Sequence, residues 1–522
     1  MLDDRTIAHL RHMVNLSRQQ PGDWSDMGPY DPSQEGDDAY RYQLAYMAYG
    51  LALAQYHHTP AYRELWKDTF ARLIEKMMRW EVWGYWELTS RGSKVLDPDM
   101  TSLGEGWIDP VVRQNVMYSG HLLAMVSMYE MLYRDGRFDE EGSLTFRFRP
   151  VFRGMGPEDF PYDHGKLVRA IHAEFERNDF LGCECEPNAV FVYCNQFPLL
   201  GFMHYDHTHG TEFAAQTVPK LKERWQQHTT MFGAEPDADL PIFFRKRQND
   251  FIYEESADNN EGITAVAWAS VMHAWLPDYV EMVYPRARDQ ILRPMDDGTV
   301  SVNLTGYYDK YLEYQRNPGH HATDPMMVGV HIFGTLALAA AEVGDTDTLQ
   351  GLLEYADRRM KPTWKNGGVF YPRNDDLSDP GYVTSLVGNA LLASARLCPR
   401  DGFRDLYAHP WTADVLERPE LCGVEYPAVL VKEATWIDDG AGIRVRLAPG
   451  GMGAEQQSVT IVRLGCAQRV AIDIDGAPAL VLDTDRPNAT SGDVDASYDV
   501  SAGRVHLSLH LRRERLIEVR AS

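Results

Sequence analysis

The chain reads as a mainly α protein: an (α/α)6 barrel catalytic domain over residues 1–415, then a C-terminal all-β, sandwich-like domain over 416–522. Two patterns predict this. From about residue 38 to 408 apolar residues recur every three or four positions, in paired segments separated by Gly, Pro, Asn or Asp. After about 415 they recur every second position, in short runs bounded by Gly, Pro and Asp.

The first pair opens with "DAYRYQLAYMAYGLALAQYHH" (38–58), where Tyr42, Tyr46, Tyr49 and Leu53 share one helical face. Its partner, "AYRELWKDTFARLIEKMMRW" (61–80), follows Thr59-Pro60, a helix-start signal. Comparable pairs are 113–134 with 163–177, 190–208 with 211–230, 262–275 with 278–292, 326–343 with 345–360, and 382–397 with 402–408. Six hairpins in succession predict a closed ring. Several first members, such as "MMVGVHIFGTLALAAAEVG" (326–344), carry small and aromatic residues on all faces, as helices between an outer layer and a central pocket do. Insertions near 88–110 and 138–165, punctuated by Gly and Pro, have the length of pocket lids or surface elaborations. Seven alternating runs, from "AVLVKEATWID" (428–438) to "RLIEVRA" (515–521), predict about seven short strands with a stabilising or assembly role.

Charge and composition narrow the partners. With 51 basic against 76 acidic residues, a net −25, the chain lacks the basic face that nucleic acid or an anionic membrane requires. The opening "MLDDRTIAHLRHMV" has no apolar signal region, and no stretch of about 18 apolar residues offers a membrane span. A cytoplasmic protein acting on a small neutral or apolar molecule is expected.

Three of the six cysteines, Cys183, Cys185 and Cys194, crowd into "CECEPNAVFVYCN" (183–195). Structural disulfides are rare in the cytoplasm, and C-x-C with one later Cys is not zinc-ligand spacing. Buried packing or thiol chemistry remains. If 190–208 is a helix, Cys185 lies in the loop that leads into it and Cys194 in its first turns, so both thiols can face one cavity. In "HYDHTHG" the residues His204, Asp206, His207 and His209 do not share one helical face; they read as satisfied or surface groups, and no metal is expected.

"EVWGYWE" (81–87), "NVMYSGHLLAMVSMYEMLY" (115–133), "FLGCECEPNAVFVYCN" (180–195), "YDHTHGTEF" (205–213) and "AWASVMHAWLPDYVEMVYPRA" (267–287) resemble, in order and spacing, the linalool dehydratase-isomerase family. The likeness spans roughly residues 20–300. It implies an (α/α)6 barrel, small alkenols as substrates, no metal or organic cofactor, and a homo-oligomer. Position by position, His121 takes the family's catalytic histidine place, with Met117 one turn earlier lining the pocket. Cys185 and Cys194 take the places of its two active-site cysteines, followed by Glu186 and Asn195. "DWSDMGPY" resembles the segment with a catalytic Asp and a Tyr, which implies Asp23 and Tyr30; the spacing is one residue longer than the family's, and Asp26 rivals Asp23. Trp268 takes the place of the substrate-facing Trp, but Thr264 stands where the family has Tyr, so the pocket there is wider or reshaped.

Eliminating water from an allylic alcohol needs an acid at the hydroxyl, a base at the neighbouring C–H, and walls that tolerate a developing cation. A buried thiol stays protonated and serves as the acid; Asp23 or His121 can take a proton or hold the leaving oxygen. Alternatively one thiolate adds at the allylic carbon and is displaced by water. Tyr42, Tyr46, Tyr49, Tyr118, Trp83, Trp86 and Trp268 are the candidate aromatic walls. The resulting reading is a hydro-lyase/isomerase of alkenols or hydroxylated terpenoids. One rival is a carbohydrate-active barrel using carboxylates such as Glu105, Asp109, Asp258 and Glu261; another is a non-catalytic terpenoid binder.

Overall fold

A computed structural model describes the chain apart from residues 35, 37, 229–240, 254–260, 321–329, 438–439, 452–455, 466 and 522, and apart from the side chains of 261–265, 268, 320 and 456. The fold divides into two units. One comprises residues 9–50 and 69–410; the other comprises 1–8, 51–68 and 411–522.

The first unit is helical. Its main helices, beginning with the one whose N-terminal turn belongs to the other unit, are α1 (Asp4–Ser17), α2 (Tyr40–Leu53), α3 (Glu64–Met77), α4 (Val116–Tyr133), α5 (His164–Arg177), α6 (Gln196–His209) and α7 (Phe213–His228). They continue with α8 (Glu261–Met272), α9 (Pro277–Ile291), α10 (Thr305–Arg316), α11 (Ile332–Val343) and α12 (Thr346–Arg359). Helices buried almost all round alternate with helices that bury one stripe. In α4 nearly every side chain is inside, whereas α5 buries Leu167, Val168, Ile171 and Phe175 at helical spacing and exposes Arg169, Glu176 and Arg177. The pair α11 and α12 repeats this contrast.

The buried helices are neighbours in turn. Helix α4 packs on α6, α6 meets α8, α8 packs on α11, and α11 packs on the helical segment Val387–Leu397. That segment reaches α2, where Asn389 Nδ2 donates to Gln43 Oε1 (3.0 Å), and α2 reaches α4 through Tyr49 and His121. Close approach of α4 and α6 depends on two glycines. A Cβ on Gly120 would stand 2.8 Å from Pro198 Cδ, and one on Gly201 would stand 2.5 Å from Leu123 Cγ.

Several expectations are corrected. The insertion at 138–165 contains an antiparallel hairpin, β1 (Leu144–Phe148) with β2 (Glu158–Tyr162), whose "LTFRF" buries alternate residues. The segment from 190 is not helical at its start. Ala189–Phe191 is a strand, β3, paired with β4 (Pro241–Arg245), which continues into β5 (Asp250–Tyr253), so Cys194 precedes α6. The β-branched and aromatic residues of "AVFV" fit that extended pairing. Residues 326–329 lie outside the described residues, and the helix predicted there begins at Ile332. Helix α10 was not predicted; it is polar and buries no side chain.

In the second unit two five-stranded antiparallel sheets replace the expected seven strands. One runs Glu420–Cys422, Gln456–Val462, Arg504–His510, Val494–Asp499, Asn488–Ser491; the other runs Val429–Ile437, Gly442–Pro449, Arg515–Ala521, Arg469–Ile474, Ala477–Asp483. Val505, Leu507 and Leu509 face inward from one strand while their neighbours face out. The strands missed were the three-residue Glu420–Cys422, the polar Asn488–Ser491 and its partner Val494–Asp499, whose alternation of Val494, Ala496 and Tyr498 was legible but passed over. Residues 51–68 join this unit through Ala61, whose N–H donates to Ala434 O (2.9 Å) and whose carbonyl accepts from Leu421 N–H (2.7 Å).

Candidate active site

The loop carrying the cysteines is held by its own backbone and by one side chain. Cys185 N–H donates to Ala189 O (2.9 Å), and Cys185 O accepts from Asn115 N–H (3.0 Å), just before α4. Asn195 closes the other end. Its Oδ1 accepts from Cys183 N–H (2.7 Å) while Nδ2 donates to Cys183 O (3.0 Å) and Phe191 O (2.7 Å). Cys185 and Cys194 are free, buried thiols, and Cys194 is near enough to act on the Cys185 thiol. Burial pushes the Cys185 thiol well up, and Cys194 and the charge of Glu186 add to this, so it is a proton donor at neutral pH. Cys183 turns away, its Sγ 3.5 Å from Ile171 O, and packs.

His121, fully buried on α4, faces the Tyr42, Tyr46, Tyr49 stripe of α2. Its Nδ1 lies 2.9 Å from Tyr49 OH, and its ring centroid lies 3.7 Å from that of Phe197 on α6. Burial, with the Arg41 charge adding to it, pushes the imidazole well below its ordinary pKa, so it is neutral. Burial pushes Tyr49 well up, so its hydroxyl keeps its proton and can donate to Nδ1. In that arrangement the imidazole proton sits on Nε2, which is buried and has no protein partner among the described residues. Tyr46 OH pairs with Tyr193 OH at 2.7 Å, one residue before Cys194.

Arg41 links the two groups, and sequence reasoning missed it. Its side chain is buried, with the guanidinium 4.5 Å from the Tyr42 ring centre and 4.4 Å from that of Tyr85. One Nη lies 3.1 Å from Met117 Sδ, to which Tyr42 OH also donates. Burial works against the Arg41 charge, but Tyr42, Tyr85 and Glu186 outweigh it and raise its pKa. Tyr85, whose OH donates to Asn115 Oδ1 (2.6 Å), feels Arg41, Glu186, Cys185 and Cys194 together. A lone Arg on the aromatic face of "DAYRYQLAYMAYG" was the available signal. A charge inside a buried stripe calls for a buried counterpart.

The structure thus brings Met117, His121, Cys185, Glu186, Cys194 and Tyr49 into one neighbourhood. Asp23 is exposed, its carboxylate accepting from Ser25 N–H (3.0 Å) and Ser25 Oγ (2.5 Å); Asp26 pairs with Lys365 (2.5 Å), and Tyr30 is half exposed. No contact among the described residues joins these three to the thiols. Thr264 and Trp268 fall on α8, with side chains outside the described residues. Tyr118 donates to Met77 O, Trp83 packs against Trp80 and Phe146, and Trp86 against Trp107, all as core. His204 is buried against Tyr407, and Asp206 accepts from Thr211 Oγ1 and the N–H groups of Phe213 and Ala214 at the start of α7. Of the rival carboxylates, Asp109 holds a loop through Val111, Val112 and Tyr162, Glu105 is exposed, and Asp258 lies outside the described residues.

Residues 41–377 match the family model described as linalool dehydratase/isomerase. The chain belongs to that family. The linalool dehydratase/isomerase match begins at Arg41 and contains both thiols, His121, Met117, Thr264 and Trp268. It leaves out Asp23, Asp26 and Tyr30, and both C-terminal sheets. The family is one of dehydratase/isomerase-type enzymes. Among the described residues no helix is long and apolar enough to cross a membrane.

Proposed function

We propose that the protein is a cofactor-independent lyase/isomerase of an allylic terpenoid alcohol, catalysing dehydration, hydration or 1,3-hydroxyl migration at the Cys185, Cys194 and His121 cluster. Family membership supports the reaction class. The observation that carries the assignment is the pair of neighbouring buried thiols, linked through Tyr85 and Arg41 to a buried neutral histidine whose Nε2 has no protein partner among the described residues. We also read the helical part as an (α/α)6 barrel, because its chain of buried neighbours returns to α2.

The proton balance closes within the cluster. A thiol gives its proton to the substrate hydroxyl as the C–O bond breaks, and water leaves. The thiolate, sharing the remaining proton with its partner sulfur, then takes one from the carbon next to the allylic cation, and the alkene forms. Re-addition of water at the far allylic carbon gives the isomer. His121 Nε2–H holds the oxygen as it departs or returns, while Tyr42, Tyr46 and Phe197 present ring faces and edges to the developing charge. The covalent route through a thioether uses the same sulfurs. Asp23 and Tyr30 stand as proposed site residues on their resemblance, tested by turnover of Asp23→Asn and Tyr30→Phe against Asp26→Asn; Thr264 and Trp268 stand as proposed substrate walls.

The central test is turnover of linalool, geraniol and myrcene, followed by gas chromatography. Cys185→Ala and Cys194→Ala should each lower kcat at least about 10²-fold, as expected for loss of a positioned proton donor, with Tm changed by only a few degrees. Full turnover in either variant refutes the thiol assignment.

A further inference from the structure

The histidine run at the end of α6 takes no part in the proposed reaction. We infer that His209, with Asp139 and His164, forms a binding site for one divalent cation of the zinc type. The site would tie the turn after α4 to the start of α5 and the end of α6.

Asp139 Oδ1 stands 3.1 Å from His164 Nδ1 and 3.2 Å from His209 Nε2, and the three ligand atoms lie within 4.8 Å of one another. Ligands at about 2.0–2.1 Å around a tetrahedral ion are roughly 3.3 Å apart, so this spacing suits zinc with little movement. His164 is fully buried, while Asp139 and His209 are 34% and 25% exposed, which leaves an entry path and room for water as a further ligand.

The remaining nitrogens fix the orientation. His209 Nδ1 lies 2.7 Å from Thr208 Oγ1 and 3.3 Å from Tyr205 O. Thr208 Oγ1 is itself 3.0 and 3.1 Å from the carbonyls of His204 and Tyr205. Carbonyls only accept, so the hydroxyl proton goes to them and Nδ1 carries the imidazole proton. A neutral His209 therefore turns the lone pair of Nε2 toward a carboxylate oxygen. His164 Nε2 is likewise anchored, 2.8 Å from Ser127 Oγ on α4, which leaves Nδ1 toward Asp139. Ligand histidines are commonly oriented in this way by a hydrogen bond at the other nitrogen. Lone pairs converging on a carboxylate repel unless positive charge lies between them. Protons alone satisfy the group only with His209 charged, because a neutral His164 can donate Nδ1–H to Asp139 while Nε2 accepts from Ser127 Oγ; a single divalent ion satisfies all three groups with both imidazoles neutral. None of the three contacts the thiol cluster, so the site ties elements together and takes no part in the proposed chemistry.

The test uses full-length protein dialysed against EDTA and titrated calorimetrically with Zn2+, with Tm read in parallel. One equivalent should bind with a Kd of about 10 µM or tighter and raise Tm. His209→Ala and Asp139→Asn, both at exposed positions and checked for fold by circular dichroism, should each weaken binding at least about 10-fold, and Ser127→Ala by about 10–100-fold through lost orientation. Co2+ spectra should show nitrogen and oxygen rather than sulfur ligation. No binding by the wild type, sulfur ligation, or unchanged affinity in both His209→Ala and Asp139→Asn overturns the inference and leaves the triad held by protons.

Discussion

Tyr49→Phe isolates the role given to His121. It removes one oxygen and leaves ring packing nearly intact, including the stack on Phe197 at 6.0 Å. In the wild type the Tyr49 hydroxyl lies 2.9 Å from Nδ1, and its donation there leaves the proton on Nε2. Without it Nδ1 is a buried acceptor with no donor, which costs about 1–3 kcal/mol. The imidazole can then relieve that cost by shifting its proton or turning. Where the cost falls on the transition state it amounts to about 5–150-fold in rate, since about 1.4 kcal/mol is tenfold. The expected result is a fall in kcat/KM of about 10–100-fold with Tm lower by only a few degrees. Alkenol turnover supplies the rate, and 15N–1H spectra of histidine-labelled protein report the tautomer. A Tyr49→Phe enzyme with wild-type kcat/KM and an unchanged Nε2–H signal refutes the oxygen-holding role.

Two further outcomes follow from the same structure. Burial lowers His12 to about 4 and His204 to about 3 from the ordinary 6.5, so both are neutral in the fold while the unfolded chain takes up protons as pH falls. Stability is therefore complete above pH 6.5 and declines by about 1.4 kcal/mol per pH unit for each residue, levelling near pH 4 for His12 and near pH 3 for His204. Urea midpoints between pH 7 and pH 5 should show this decline, and a His12→Gln variant whose slope equals the wild type's counts against it. Asn195→Ala should cost at least about 2 kcal/mol, because two buried hydrogen bonds to Cys183 and a partly buried one to Phe191 are lost. It should lower Tm and turnover together, in contrast to Cys194→Ala; a stable but inactive Asn195→Ala protein would instead place Asn195 in the chemistry.

What the sequence disclosed depended on how locally each feature is encoded. The Tyr42, Tyr46, Tyr49 stripe is legible because helical spacing alone determines its face, and all three rings lie beside His121. The strand that displaces Cys194 from α6 was hidden because Ala189–Phe191 acquires its hydrogen bonds from residues 243–245, far along the chain. Arg41 was passed over for a similar reason: its partners Tyr85 and Glu186 come from two separate loops, and only their convergence makes a buried guanidinium tolerable. Asp139 and His164 likewise acquire a relation to His209 only once the ends of three helices meet.

Asn195 has a consequence for inheritance as well as for stability. Because one amide closes the loop on Cys183 and Phe191, the sulfurs of Cys185 and Cys194 ride on a single short piece of backbone and not on separate helices. The spacing between them is therefore insulated from substitutions that shift α2, α8 or α11 against each other. A lineage can alter the helices around the pair while passing on the two cysteines as one intact cassette.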